Sequence, residues 1–244
     1  YPMLGVSDDK VVVSYNGFSL PAENFIGAGY YVLNKASLTA CAASVSMSRV
    51  APNVSRFTPH PAQSLGSTSN LYMPMHAATN TLTLLTISGV PGVSVVTETS
   101  TALAIRSWTD PPAAPQLGSG VLLDTSDNRV LSVAWQNSSL WVAGGEACTP
   151  AGDSGARSCL RVIEVRTDTS TVRQDMTFGS VGEYYSYPAL RPDSAGNVLV
   201  VFTRSSSSAF AGVRATGRLA SDPLNTLGPS TELRAGGGAQ TDPL

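Results

Sequence analysis

The chain has 244 residues, 15 of them basic and 17 acidic, for a net charge of −2. Only 13% of its residues are charged, about half the usual ~25%, which excludes long surface helices as a major component because their wet face needs Glu, Lys and Arg. Lys and Arg form no run or stripe, which excludes a phosphate-binding groove for nucleic acid, and no apolar run approaches the roughly 18–20 residues that cross a bilayer.

Taken in chain order, strand signals dominate. Lys10-Val11-Val12-Val13-Ser14-Tyr15 is the first, rich in β-branched and aromatic residues and opened by the polar pair Asp8-Asp9. Lys35 to Val50 is the best helical stretch, and its Ser, Thr and β-branched content weakens it. Within it Cys41 sits among small and apolar neighbours, the setting of a buried free thiol, with no histidine nearby to make it a nucleophile. Strands are predicted at Thr81 to Ile87, at Val93 to Thr97, and at Asn197 to Phe202. Between the last two, Cys148 and Cys159 bracket a small polar Gly/Pro loop. The pair reads as a local disulfide, with two unrelated thiols or half a metal site as the alternatives. No further Cys or His lies nearby to complete a zinc set.

Alignment of the turn-plus-strand units reveals a repeat. Val11, Leu71, Leu140 and Val198 each follow a polar turn and open a strand, at separations of 60, 69 and 58 residues. Tyr1-Pro2-Met3-Leu4, followed by Val11-Val12-Val13, parallels Tyr187-Pro188-Ala189-Leu190, followed by Val198-Leu199-Val200. A period near 60 holds four short strands with their loops. The expected fold is therefore all-β: a β-propeller of four-stranded blades, about four of them, with 1–244 a single propeller domain or part of one. The alternative is a β-sandwich.

Several segments carry a resemblance to a known family. They are Tyr1-Pro2 with Leu4-Gly5-Val6-Ser7-Asp8, Phe25 with Gly27-Ala28 leading to Val32-Leu33, and Pro61-Ala62-Gln63-Ser64 leading to Leu71-Tyr72. Tyr187-Pro188-Ala189-Leu190 with Pro192-Asp193 and Gly196-Asn197-Val198, and the later Thr216-Gly217-Arg218, complete the set. They resemble secreted, largely uncharacterised bacterial β-propeller-like proteins. The resemblance implies a propeller fold, an extracellular bacterial setting and a chain lacking blades at both ends. Its motifs are structural, so it implies no catalytic residue.

The chemistry-bearing motifs weigh against catalysis. Gly152-Asp153-Ser154-Gly155 matches the nucleophile loop of chymotrypsin-like proteases. Its continuation is Ala156, and His60 and His76 lie in Pro- and Met-flanked settings unlike that family's. Asp124, Asp127 and Asn128 lack the spacing of a calcium loop. A sialidase-like reading draws on Glu183, Tyr184 and Tyr185, with Arg191, Arg204, Arg214 and Arg218 as an arginine cluster for a sugar carboxylate, without the repeated box of that family. Tyr184, Tyr185 and Tyr187 suit stacking on a sugar or protein if exposed, and blade core if buried. The expectation is a non-catalytic binding module for a glycan or surface protein, with Glu183, Tyr184, Tyr185 and Arg191 as ligand contacts and no metal or cofactor. A propeller glycoside hydrolase and a purely structural domain of a larger exported protein are the alternatives.

Overall fold

The computed structural model describes residues 2–242. Its elements in chain order are β1 (Met3–Val6), β2 (Lys10–Phe18), β3 (Phe25–Asn34), α1 (Lys35–Thr39), β4 (Met47–Asn53), β5 (Gln63–Ser64), β6 (Leu71–Ala78), β7 (Thr81–Ser88) and β8 (Thr97–Ala104). There follow β9 (Ala114–Gln116), β10 (Ser119–Leu123), β11 (Val130–Gln136), β12 (Ser139–Cys148), β13 (Arg157–Arg166), β14 (Thr171–Phe178), β15 (Tyr184–Pro192), β16 (Val198–Ser206), β17 (Ala209–Arg218) and β18 (Thr231–Arg234). The fold is all-β. Consecutive strands pair as up-and-down meanders, β1 to β4, β6 to β8, β11 to β14 and β15 to β18, while β9 and β10 make a separate ribbon. Four consecutive antiparallel strands are the blade unit expected from the repeat.

The chain divides into two compact units. One holds the residues up to Ile105 with Val133–Leu140 and Arg166–Thr171; the other holds Arg106–Ser132, Trp141–Val165 and the residues from Val172 onward.

In the first unit the paired segments Lys10 to Ser14 of β2 and Tyr30 to Asn34 of β3 alternate buried and partly exposed positions, the period-2 signature of a sheet covered on one face. Val12, Tyr30 and Val32 on the covered face pack against Leu71, Met73, Met75, Leu85 and Ile87 of the second meander. That second meander gains an inner strand from the segment before β5: the His60 and Ala62 amides donate to the Pro74 and Tyr72 carbonyls at 3.0 and 2.8 Å, in one antiparallel register. The short β5 then runs parallel between two neighbours, with Gln63 opposite Val6 on one side and Ala134 on the other. With that inner strand included, all four repeat anchors fall on the second strand of a meander: Val11 on β2, Leu71 on β6, Leu140 on β12 and Val198 on β16.

The match between the first and last repeats is also a match of register. Leu4 faces Val13 and Val6 faces Val11; Leu190 faces Val200 and Pro192 faces Val198. Tyr1, the first residue of that alignment, lies outside the described residues.

In the second unit β12 and β13 are buried at consecutive positions, from Trp141 to Glu146 and from Ser158 to Val165. Both faces of this hairpin are therefore covered. Its fully buried Arg161 is held between two carboxylates, Glu146 at 2.5 Å and Asp175 at 2.5 Å, and donates to the Arg106 and Ser107 carbonyls. The Trp108 ring lies 5.7 Å from its guanidinium. A buried cation demands such partners. Desolvation pushes the Glu146 carboxyl above its ordinary range, partly offset by Arg161. Cys148 and Cys159 are joined by a disulfide across the mouth of the same hairpin, with Cα atoms 5.9 Å apart.

Three sequence expectations are corrected. The stretch from Lys35 to Val50 holds one short helix, α1, capped by the Asn34 side chain, and then enters β4 as a strand. Cys41, expected to be buried, is exposed just past that helix with a positive φ of 50°. The run Val93 to Val96 is a turn rather than a strand: the Val93 and Ser94 amides close on the Val90 carbonyl, and Gly89 and Gly92 take positive φ. Here turn chemistry outweighs the β-propensity of three valines. No helix among the described residues is long and apolar enough to cross a membrane.

Candidate functional site

Glu183, Tyr184, Tyr185 and Arg191 do not converge. Glu183 and Tyr184 lie at the start of β15 and Arg191 near its end; Tyr184 and Arg191 face Ser205 and Leu199 on β16, a span of about 20 Å at ~3.3 Å per residue. Glu183 is held by both forks of the Arg204 guanidinium. Tyr184 accepts a hydrogen bond from Arg157 at 2.8 Å and lies under its guanidinium, 5.0 Å from ring centre. Tyr185 is buried against Phe178 and Phe202, at 5.7 and 4.7 Å between centroids. It is a core residue with no face for a ligand. Tyr187 takes a positive φ of 53° at the β15 bulge and donates to Asp124 at 2.6 Å.

The protease-like loop has a structural explanation. Asp153 forms a two-pronged ion pair with Arg157, each contact 2.7 Å, and accepts hydrogen bonds from the Gly182, Ser154 and Gly155 amides. This holds its carboxyl far below the ordinary range. The aspartate in Gly-Asp-Ser-Gly thus pins a disulfide-closed loop. Similarly, Asp124 accepts from the Ser126 amide and Asp127 holds Arg129, which makes that acidic stretch a turn.

Arg191 lines a cavity of about 440 Å³ at the end of the β15–β16 hairpin, together with Arg218, Asp193, Asn197, Leu199 and Asp222. Asp193 is occupied by its own turn, accepting from the Ala195 and Asn197 amides and the Asn197 side chain. Those bonds hold its carboxyl low, the Asn197 side chain contributing most.

The surface that sequence reasoning missed is the outer face of the first meander. Strand register puts Val6, Val11, Leu33 and Met47 in one row and Leu4, Val13, Tyr31 and Arg49 in the next. Every one of these is partly or fully exposed, Met47 at 63% and Leu4 at 50%. Tyr15 stacks on Tyr31 with ring centres 5.6 Å apart. Its partner across the strands is Gly29, and a side chain there would stand 2.9 Å from the Tyr15 hydroxyl. Glycine thus makes the room that the Tyr15 hydroxyl occupies. Arg49 lies across from Tyr31, and Tyr15 and then Tyr31 favour its charged form still further. None of these nine outward positions carries a carboxylate. The legible signal was the alternation itself: Val11, Val13 and Tyr15 put an apolar or aromatic residue at every position of the face of β2 opposite to Val12.

No protein-family model matches the chain, and no curated protein is significantly similar to it. Among solved structures it is similar to a xylan β-1,4-xylosidase from Bacillus halodurans C-125, at 10% identity and a TM-score of 0.39. The match covers 95% of this chain and 42% of that one, so the chain spans less than half the length of that protein.

Proposed function

We propose that this chain is a non-catalytic glycan-binding module of propeller type, and that the outer face of its first meander is the contact surface. The observation that carries this reading is the pairing of two stacked tyrosines with an arginine on a sheet face free of carboxylates. Aromatic faces stack on the C–H surface of sugar rings, and phenol and guanidinium groups hydrogen-bond their hydroxyls. The lack of an acid there, together with the arginine and turn contacts that occupy Glu183, Asp153 and Asp193, argues against paired-carboxylate hydrolysis. The disulfide supports an oxidising, extracytoplasmic setting.

The aliphatic row on the same face favours a second reading, a structural domain stacked against another sheet of a larger exported protein, because apolar sheet faces are normally covered. One experiment separates the two. The purified chain is run in affinity electrophoresis against soluble xylan, arabinan, galactan and β-glucan. Retardation by at least one polymer that Tyr15→Ala and Tyr31→Ala each abolish, with unchanged circular dichroism, supports glycan binding. Retardation by none of them, or retardation indifferent to both substitutions, sinks it.

A further inference from the structure

A second site lies in the other unit and goes beyond the tyrosine face. We infer that the cavity at the end of the β15–β16 hairpin binds the carboxylate of an acidic sugar. Arg218 supplies the first reason. It is the last residue of β17, only 6% exposed, and lines the cavity. Its Nη2 donates to the Asp222 carbonyl at 2.9 Å, while its Nε is buried without any acceptor. Among the described residues neither Arg218 nor Arg191 forms an ion pair with a carboxylate; the pairs that exist involve other residues. A nearly buried guanidinium with no carboxylate in ion-pair contact is costly, and a bound anion relieves that cost.

The cavity's other groups narrow the class of anion. Strand register places Arg191 opposite Leu199 and Val198 opposite Arg218, in adjacent rows at the sheet end, and both arginines line the cavity. Two aspartates, Asp193 and Asp222, line the same cavity and offset the two cations. That balance admits a monoanion and disfavours a dianion such as phosphate. The hairpin amides of Ala195 and Asn197 are already bonded to Asp193, so no nest of free backbone donors is offered to a phosphate either. Asp222 uses one carboxylate oxygen on the Leu219 amide, and the other is available to accept from a ligand hydroxyl. Leu199 and Leu219, both more than half exposed, form an apolar wall beside these groups. Arginine forks for a carboxylate, an acceptor for hydroxyls and an apolar wall for C–H groups together describe a sugar acid. The volume, about 440 Å³, lies within the usual range for small-ligand sites.

The test is amide chemical-shift titration of the whole chain with D-glucuronate and D-galacturonate, against D-glucose and D-galactose as neutral counterparts of the same ring. The expected result is saturable shifts at Asn197, Leu199, Gly217 and Ala220, with at least one acid binding about tenfold tighter than its neutral counterpart. Arg191→Gln, at an exposed position, should weaken that acid about tenfold without loss of fold, and Arg218→Gln should abolish binding. If Arg218→Gln fails to fold, Arg191→Gln decides alone. Equal binding of acid and neutral sugar, an unchanged affinity in Arg191→Gln, shifts confined to other residues, or sodium sulfate binding as tightly as the acids would each overturn the assignment. None of these outcomes touches Tyr15 or Tyr31, so failure here and failure of the tyrosine face are told apart.

Discussion

The β12–β13 hairpin is buried at consecutive positions, whereas the paired segments Lys10 to Ser14 and Tyr30 to Asn34 of the β2–β3 hairpin are buried at every other one. The difference is what each presents outward. β12 and β13 have both faces covered, and their polar groups are enclosed and paired, as Arg161 is with Glu146 and Asp175. In β2 and β3 one face packs under the second meander through Val12, Tyr30 and Val32. The other leaves Val11, Val13, Tyr15, Tyr31 and Leu33 partly open. An apolar row that stays open is available for contact, whereas an enclosed one is a core.

The largest expected effect lies in the covered hairpin. Arg161→Ala leaves Glu146 and Asp175 without their shared cation and should cost about 3–5 kcal/mol, or prevent folding; urea unfolding measures it. Adjacent tyrosines then sharpen the contrast between the faces. Tyr30 is buried and donates to Glu98 at 2.5 Å, and burial together with Glu98 raises its phenol well above the usual range. Tyr30→Ala should cost about 3–5 kcal/mol, while Tyr31→Ala should cost about 1 kcal/mol or less. Similar costs for both would break the comparison. Replacing Cys148 and Cys159 together by Ser should lower stability by about 2–3 kcal/mol, the loop being short, with native-state labelling of Cys41 unchanged.

The smallest effect is electrostatic. The carboxyl of Asp153 is depressed, chiefly by the Arg157 hydrogen bonds, below its ordinary value of 3.8. A depressed carboxyl contributes stability above its unfolded pKa and loses it as pH falls through the folded value. The disulfide loop should therefore hold at pH 5 and loosen progressively below about pH 4, an acid sensitivity that Asp153→Asn should reduce. Hydrogen exchange at Gly182 and Gly155 reads it directly.

Much of the fold was legible. Alternation and turn residues located β2, β7 and β16, and the spacing of Val11, Leu71, Leu140 and Val198 marked second strands because each follows a tight polar turn. Val93 to Val96 was not legible as a turn, since its glycines act through backbone dihedrals that override side-chain preference. The site was harder to read. Tyr184, Tyr185 and Tyr187 are neighbours in sequence, but the pleat and the bulge send them to different partners. Tyr15, Tyr31 and Arg49 are far apart in sequence and meet only through strand register, which a single strand's pattern does not reveal.

Hydroxyl-radical footprinting of the tyrosines, with and without the best-bound glycan, tests the open face most directly. The expected result is oxidation of Tyr15 and Tyr31 in the free chain, protection of both on glycan binding, and little labelling of Tyr30 and Tyr185 in either state. Tyr15 and Tyr31 already protected in the free chain, or oxidised equally with glycan bound, would contradict the account.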